Sequence, residues 1–169
     1  MTSSFSKFVK IAGSMVILLS AVQVYAAGTV VKVSLWDKGA MSMQMLSKGP
    51  KMGMAMGKGT GMPDGPMGIK LSTSNVPAGV VTFEVTNDAK EMVHEMVVAP
   101  VKNEKKPLPY MKKEMKVDED AAGHLGEVAE LEPGKSGALT ITLKPGRYIL
   151  YCNIPGHYTL GMWTLLTVQ

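Results

Sequence analysis

The chain has 169 residues, with 18 Lys and Arg against 14 Asp and Glu, so it holds one ordinary domain and only a slight positive excess. No dense basic run with interleaved aromatics is present, which argues against a nucleic-acid partner. A single cysteine excludes an internal disulfide framework, and 15 methionines beside 3 phenylalanines is an unusual apolar mix.

Residues 1–26 have the build of a secretory signal peptide. Lys7 and Lys10 supply a positive start, Ile11 to Val24 an apolar run, and Val24-Tyr25-Ala26 a small-residue exit. The apolar run is shorter than the roughly 20 residues a membrane span needs, so cleavage is expected and no span remains after it. Without Lys7 and Lys10 the balance falls from 18 basic against 14 acidic residues to 16 against 14. The expected mature unit is one domain over residues 27–169, exported to the periplasm or beyond. A lone Cys in an oxidising compartment is open to oxidation. It is stable either buried and inert or bound to a metal as thiolate.

Residues 29–36 have strand composition, with Trp36 near the end and Asp37-Lys38-Gly39 as a turn. Residues 40–67 differ in kind. They hold Met41, Met43, Met45, Met52, Met54, Met56, Met62 and Met67 among Gly, Lys, Pro and Ser, with no helix or strand signal. A segment this long inside a domain is expected to be functional or disordered. Thioethers select Cu(I), so Met41, Met43, Met45, Met52, Met54 and Met56 are candidate ligands of a Cu(I) site. A flexible low-complexity insertion or a Met-rich contact surface are the alternatives.

Gly68 to Ser72 suits a short strand, and Asn75-Val-Pro-Ala-Gly79 a turn. Val81, Phe83 and Val85 alternate with Thr82, Glu84 and Thr86, the pattern of a half-buried strand. Glu91 to Ala99 is the next strand and carries His94. Both of its faces are apolar, so the pattern does not say which points inward. Residues 101–123 read as a charged insertion, with a short helix at Tyr110 to Met115 and solvated charges at Lys112, Lys113, Lys116 and Asp118 to Asp120. His124 reads as a loop histidine. Glu127–Leu131, Leu139–Leu143, Arg147–Cys152 and Met162–Val168 complete the strands, with Pro133-Gly134 and Lys144-Pro-Gly146 as turns. Seven or so short strands without crossover helices predict an all-β, antiparallel Greek-key β-sandwich.

The last eighteen residues carry the chemistry. Cys152-Asn-Ile-Pro-Gly-His157-Tyr-Thr-Leu-Gly-Met162 spaces a thiolate, an imidazole and a thioether five residues apart. A strand ending at Cys152 and an antiparallel partner opening at Met162 would let all three converge. His94 is the candidate fourth donor, from a neighbouring strand end. One Cys, two His and a weak axial Met make a blue-copper set. Structural zinc sites use more Cys or His and rarely a thioether. No hydrolase or phosphate-loop motif is present.

Cys-x4-His-x4-Met with an upstream His resembles the cupredoxins. The Cys-Asn-Ile-Pro-Gly-His stretch is similar to the ligand loop of azurin, and the full spacing is similar to auracyanin and rusticyanin. The resemblance implies a type 1 copper centre on His94, Cys152, His157 and Met162, with backbone N–H groups of Glu95 and Ile154 donating to the sulfur. Glu95 departs from the Asn or Ser that many cupredoxins carry there. The implied role is one-electron transfer rather than enzyme turnover. The partner would be a cytochrome or oxidase docking on an apolar patch of Ile154, Pro155, Tyr158 and Leu160 beside a near-surface His157, and the protein a monomer. The Met-rich segment resembles exported cupredoxins implicated in copper tolerance, so copper sequestration is the competing expectation.

Overall fold

The computed structural model describes residues 28–47, 65–103 and 106–169. The elements run β1 (Thr29–Asp37), α1 (Ala40–Ser47), β2 (Met67–Leu71), β3 (Asn75–Val76), β4 (Gly79–Asn87), β5 (His94–Pro100), β6 (Tyr110–Met111), β7 (Lys116–Val117), α2 (Glu119–Ala122), β8 (Gly126–Leu131), β9 (Ser136–Leu143), β10 (Gly146–Tyr151) and β11 (Trp163–Val168). One sheet has the order β2-β1-β4-β9, the other β3-β11-β10-β5-β8. The all-β sandwich expected from the alternating runs is present. Its pairings are mostly antiparallel, but β1 with β4 and β3 with β11 are parallel. The segment 1–26, expected to be cleaved, lies outside the described residues.

The first sheet reads as the half-buried pattern requires. In β4, Val81, Phe83 and Val85 are buried, while Thr82 and Thr86 are half-buried and Glu84 is exposed. These side chains meet Val31, Val33 and Leu35 of β1 and, from the second sheet, Met96, Val98, Leu150 and Leu166. At 1.5–3 kcal/mol per large apolar side chain, roughly, this layer is the main source of stability. Trp36 lies against Gly68 of β2, opposite it in register. A Cβ at position 68 would stand 2.7 Å from the indole, so only glycine admits that approach.

The second sheet is buried on both faces, which is why β5 showed apolar residues on each side. Met96 and Val98 face the first sheet, whereas Val97 and Ala99 join Ile149, Tyr151, Tyr158, Trp163 and Leu165 in a second cluster. Leu108, Val117 and Ala122 of the charged insertion cover that cluster. Left bare, it would be an apolar patch of the size that drives association. The insertion is therefore a lid on a second core.

Three local expectations need correction. Tyr110 to Met115 is not a helix: β6 and β7 form a hairpin, closed through Met115 at φ 53°, and Asp118 N–H reaches Pro109 O at 2.9 Å. Tertiary partners override the weak helical spacing of Met111 and Met115. Asp118 is not merely solvated: its carboxylate caps α2 by accepting from Ala121 N–H at 3.0 Å. Finally, the Met-rich segment opens as a helix, α1. The Met-x-Met alternation hid the fact that Ala, Met, Gln and Leu are all good helix formers.

Candidate metal centre

Cys152 follows directly on β10, and its backbone N–H donates to Met162 O at 3.0 Å. That bond closes the base of the loop. Inside it, His157 N–H reaches Ile154 O and Met162 N–H reaches His157 O at 3.0 and 3.1 Å, and a 3-10 turn spans Tyr158–Leu160. Gly156 and Gly161 sit at φ 84° and 90°, conformations a side chain would strain. The loop is thus held by its own backbone rather than by neighbours alone.

Three donors converge there. Cys152 Sγ lies 3.3 Å from His157 Nδ1 and 4.0 Å from His94 Nδ1, and the two Nδ1 atoms are 3.2 Å apart. All three residues are at most 1% exposed. Bonds of about 2.0–2.3 Å, the range for imidazole and thiolate on a divalent first-row ion, reach a common centre from donors so spaced. Met162 is fully buried in the same apolar cluster as Cys152. His94 opens β5, where a bulge interrupts the ladder to β8 between His94 and Met96. Such bulges re-aim a side chain next to a site. The loop before His94 is braced by buried Asn87, whose amide donates to Met92 O and Leu131 O at 2.9 and 2.7 Å and whose oxygen accepts from Ala89 N–H at 3.0 Å.

Burial sets the protonation states. It pushes the Cys152 thiol up to about 12, although the backbone N–H groups of Glu95 and Ile154 donate to the sulfur and work against that rise. Those two donors are the ones the resemblance implied. Burial, and then the neighbouring His94, lower His157 to about 3. Burial also lowers His94, against the opposing pull of Asp37. Both imidazoles are therefore neutral and able to ligate. Glu95 is raised to about 7 by burial, with Lys116 opposing.

The description "copper binding proteins, plastocyanin/azurin family" matches residues 58–169, about two thirds of the chain. The chain belongs to that family. Within the cupredoxins it is similar in fold to rusticyanin from Thiobacillus ferrooxidans, at TM-score 0.51 and 18% identity over 85% of this chain and 79% of that one. Reduced auracyanin from Roseiflexus castenholzii aligns at TM-score 0.49 and 19% identity, over 85% of this chain and 98% of that one. A stretch of 40 residues is 58% identical to the copper-resistant cuproprotein CopI of Pseudomonas aeruginosa, spanning 23% of this chain and 22% of that protein. This cupredoxin chain thus spans under a quarter of the curated relative it matches.

The structure brings His94, Cys152 and His157 together. The surroundings of His157 differ from expectation. It is 1% exposed, and Tyr158 and Leu160 are buried at 0% and 1%, leaving only half-buried Ile154 and exposed Pro155 of the expected patch. The hairpin β6–β7 covers the loop, with Gly156 N–H donating to Met115 O at 2.8 Å. Of the candidate Cu(I) ligands, Met41 is 56% exposed on α1, Met45 packs against the main core, and Met43 also lies on α1. Met52, Met54 and Met56 lie outside the described residues. Met67 is a fully buried core residue of β2. His124 is exposed between α2 and β8.

Sequence reasoning missed two residues. Asp37, read as part of a turn, places Oδ2 2.9 Å from His94 Nε2. Asn153, passed over between Cys152 and His157, ties the ligand loop to β7 and α2. A polar residue adjoining a ligand, and an acid closing an apolar strand, are the signals that were available.

Proposed function

We propose that the protein is an exported type 1 copper protein that transfers single electrons, with His94, Cys152 and His157 as equatorial ligands and Met162 as the weak axial one. The observation that carries this reading is the buried convergence of two Nδ1 atoms and one thiol within 3.2–4.0 Å. Backbone hydrogen bonds hold the loop that carries Cys152, His157 and Met162, and the Asp37 carboxylate holds the His94 ring. A set so fixed changes little between Cu(I) and Cu(II), which favours fast transfer. Four protein donors leave copper no open position for a substrate, so the protein is read as a carrier and not an enzyme. It would act as a monomer, meeting a cytochrome or oxidase through a small, transient contact near the ligand loop. Residues 1–26 would direct its export. Among the described residues, no helix is long and apolar enough to cross a membrane.

The test is a spectroelectrochemical titration of the copper-loaded protein, followed by stopped-flow mixing with a reduced cytochrome. The expected result is a reversible one-electron couple and rapid exchange. Absence of exchange with every cytochrome and oxidase tried would defeat the carrier reading.

Copper sequestration for tolerance is the second reading, favoured by 58% identity over 40 residues to a copper-resistance protein. It predicts more than one copper per chain under reducing conditions. Replacing Met41, Met43, Met45, Met52, Met54 and Met56 by leucine keeps the apolar character but removes the thioethers. That variant should bind a single copper. A stoichiometry of one in both proteins would reject this reading.

A further inference from the structure

Asp37 closes β1 and its side chain is 1% exposed, beside a His94 side chain that is 0% exposed. One carboxylate oxygen, Oδ1, accepts the Gly39 N–H at 2.6 Å, and the other, Oδ2, meets His94 Nε2 at 2.9 Å. The turn that carries it is pinned independently. Lys38 N–H donates to Pro66 O at 2.8 Å and to Ser42 Oγ at 3.0 Å, and Ser42 Oγ–H donates to Pro66 O at 2.5 Å. The carboxylate is therefore held from behind and aimed at the ring.

A neutral imidazole has one N–H and one lone pair. An ionised carboxylate only accepts, so the proton of His94 belongs on Nε2 and the lone pair on Nδ1. Nδ1 is the atom that faces Cys152 Sγ and His157 Nδ1. A buried negative charge one ring away from the donor cluster also favours the more positive state of any metal held there.

We propose that Asp37 is a positioning residue of the copper centre, fixing His94 in the Nε2–H tautomer with Nδ1 turned to the cluster and biasing the bound metal toward Cu(II). This rests on the copper-binding reading of the three donors. Nothing in the Cys-x4-His-x4-Met motif specifies it, because Asp37 stands 57 positions before His94.

The test compares Asp37→Asn, Asp37→Ala and, as a control, Ser42→Ala in the full mature chain. Asparagine keeps an acceptor for Nε2–H but removes the charge. It should leave the thiolate-to-copper band in place and raise the Cu(I)-to-Cu(II) affinity ratio about tenfold, read as a reduction potential about 59 mV higher. Alanine removes the acceptor as well and should weaken Cu(II) binding roughly 10–100-fold. In the metal-free protein, the ring 15N shifts of His94 should report the Nε2–H form in the wild type and in Asp37→Asn, and a tautomer mixture in Asp37→Ala. Ser42→Ala loosens the same turn but keeps the carboxylate and its charge, so it should shift the potential less than Asp37→Asn does and keep the Nε2–H form. Asp37→Asn is nearly isosteric, so it carries the test if the alanine variant fails to fold. An unchanged potential in Asp37→Asn, or an equal shift in Ser42→Ala, would overturn the proposal while leaving the copper site standing. A wild-type protein with no thiolate-to-copper band would overturn both.

Discussion

Cys152→Ser is expected to abolish the intense visible absorption of the Cu(II)-loaded protein. It should also reduce Cu(II) affinity by more than the roughly 10–100-fold lost when an outer partner of a metal ligand is removed. The band requires a thiolate on copper, and Cys152 is the chain's one cysteine. The same variant should change the pH dependence of binding. The buried thiol is pushed up to about 12, whereas His157 is lowered to about 3 and His94 is lowered as well. Above pH 6.5, the ordinary imidazole value that burial lowers for both histidines, and up to pH 8, both imidazoles are deprotonated and the thiol is not. Metal entry must then release one proton, from Cys152, and apparent affinity should rise about tenfold per pH unit. Glu95, raised to about 7, titrates inside this window and its backbone N–H touches the sulfur. Carrying Glu95→Gln in both proteins isolates the thiol. Competition titrations with a chelator of known affinity should then give a slope near one for the Cys152 protein and near zero for the serine variant. A band that survives in Cys152→Ser, or a flat profile in the parent, would mean that the sulfur does not ligate.

The ligand loop was legible in the sequence because it is local. Cys152, His157 and Met162 lie within one hairpin, so linear spacing encodes their approach. The half-buried strand β4 was legible for a similar reason, since one wet face imposes a period of two on Val81, Phe83 and Val85. β5 was harder. Its residues from His94 to Ala99 are all buried, so periodicity carries no sign of which face meets which core. What decides it is the insertion over residues 101–123, which adds buried Leu108, Val117 and Ala122 and partly buried Val101 and Tyr110 to that core from among many charges. Asp37 was illegible for a different reason. Its role depends on the end of β1 lying beside the start of β5, and no local pattern encodes that. The helix α1 was missed because a Met-x-Met repeat imitates strand alternation while its residues favour helix.

Asn153→Leu is expected to destabilise the metal-free protein by about 3 kcal/mol, and the reason lies in what it leaves behind. The Asn153 side chain, 2% exposed, accepts from Val117 N–H at 2.6 Å and donates to Val117 O at 3.0 Å and to Glu119 Oε1 at 2.7 Å. Leucine matches the size but answers none of these groups. Two backbone groups of buried Val117 then lose their partners, at roughly 1–3 kcal/mol each, partly offset by added apolar contact. Asn153→Asp is the sharper case. It keeps the acceptor for Val117 N–H but turns a second oxygen toward Val117 O and the Glu119 carboxylate. Although closer in shape, it should therefore be at least as destabilising as leucine at pH 7, and Glu119→Gln should recover part of the loss by supplying a donor. Urea unfolding of the four proteins measures this, and hydrogen exchange at Val117 N–H locates it. A loss within about 0.5 kcal/mol for both single variants would mark the insertion as a passive cover. The expected loss would instead make Asn153 the joint through which the second core, β7 and α2 hold the ligand loop between Cys152 and Met162.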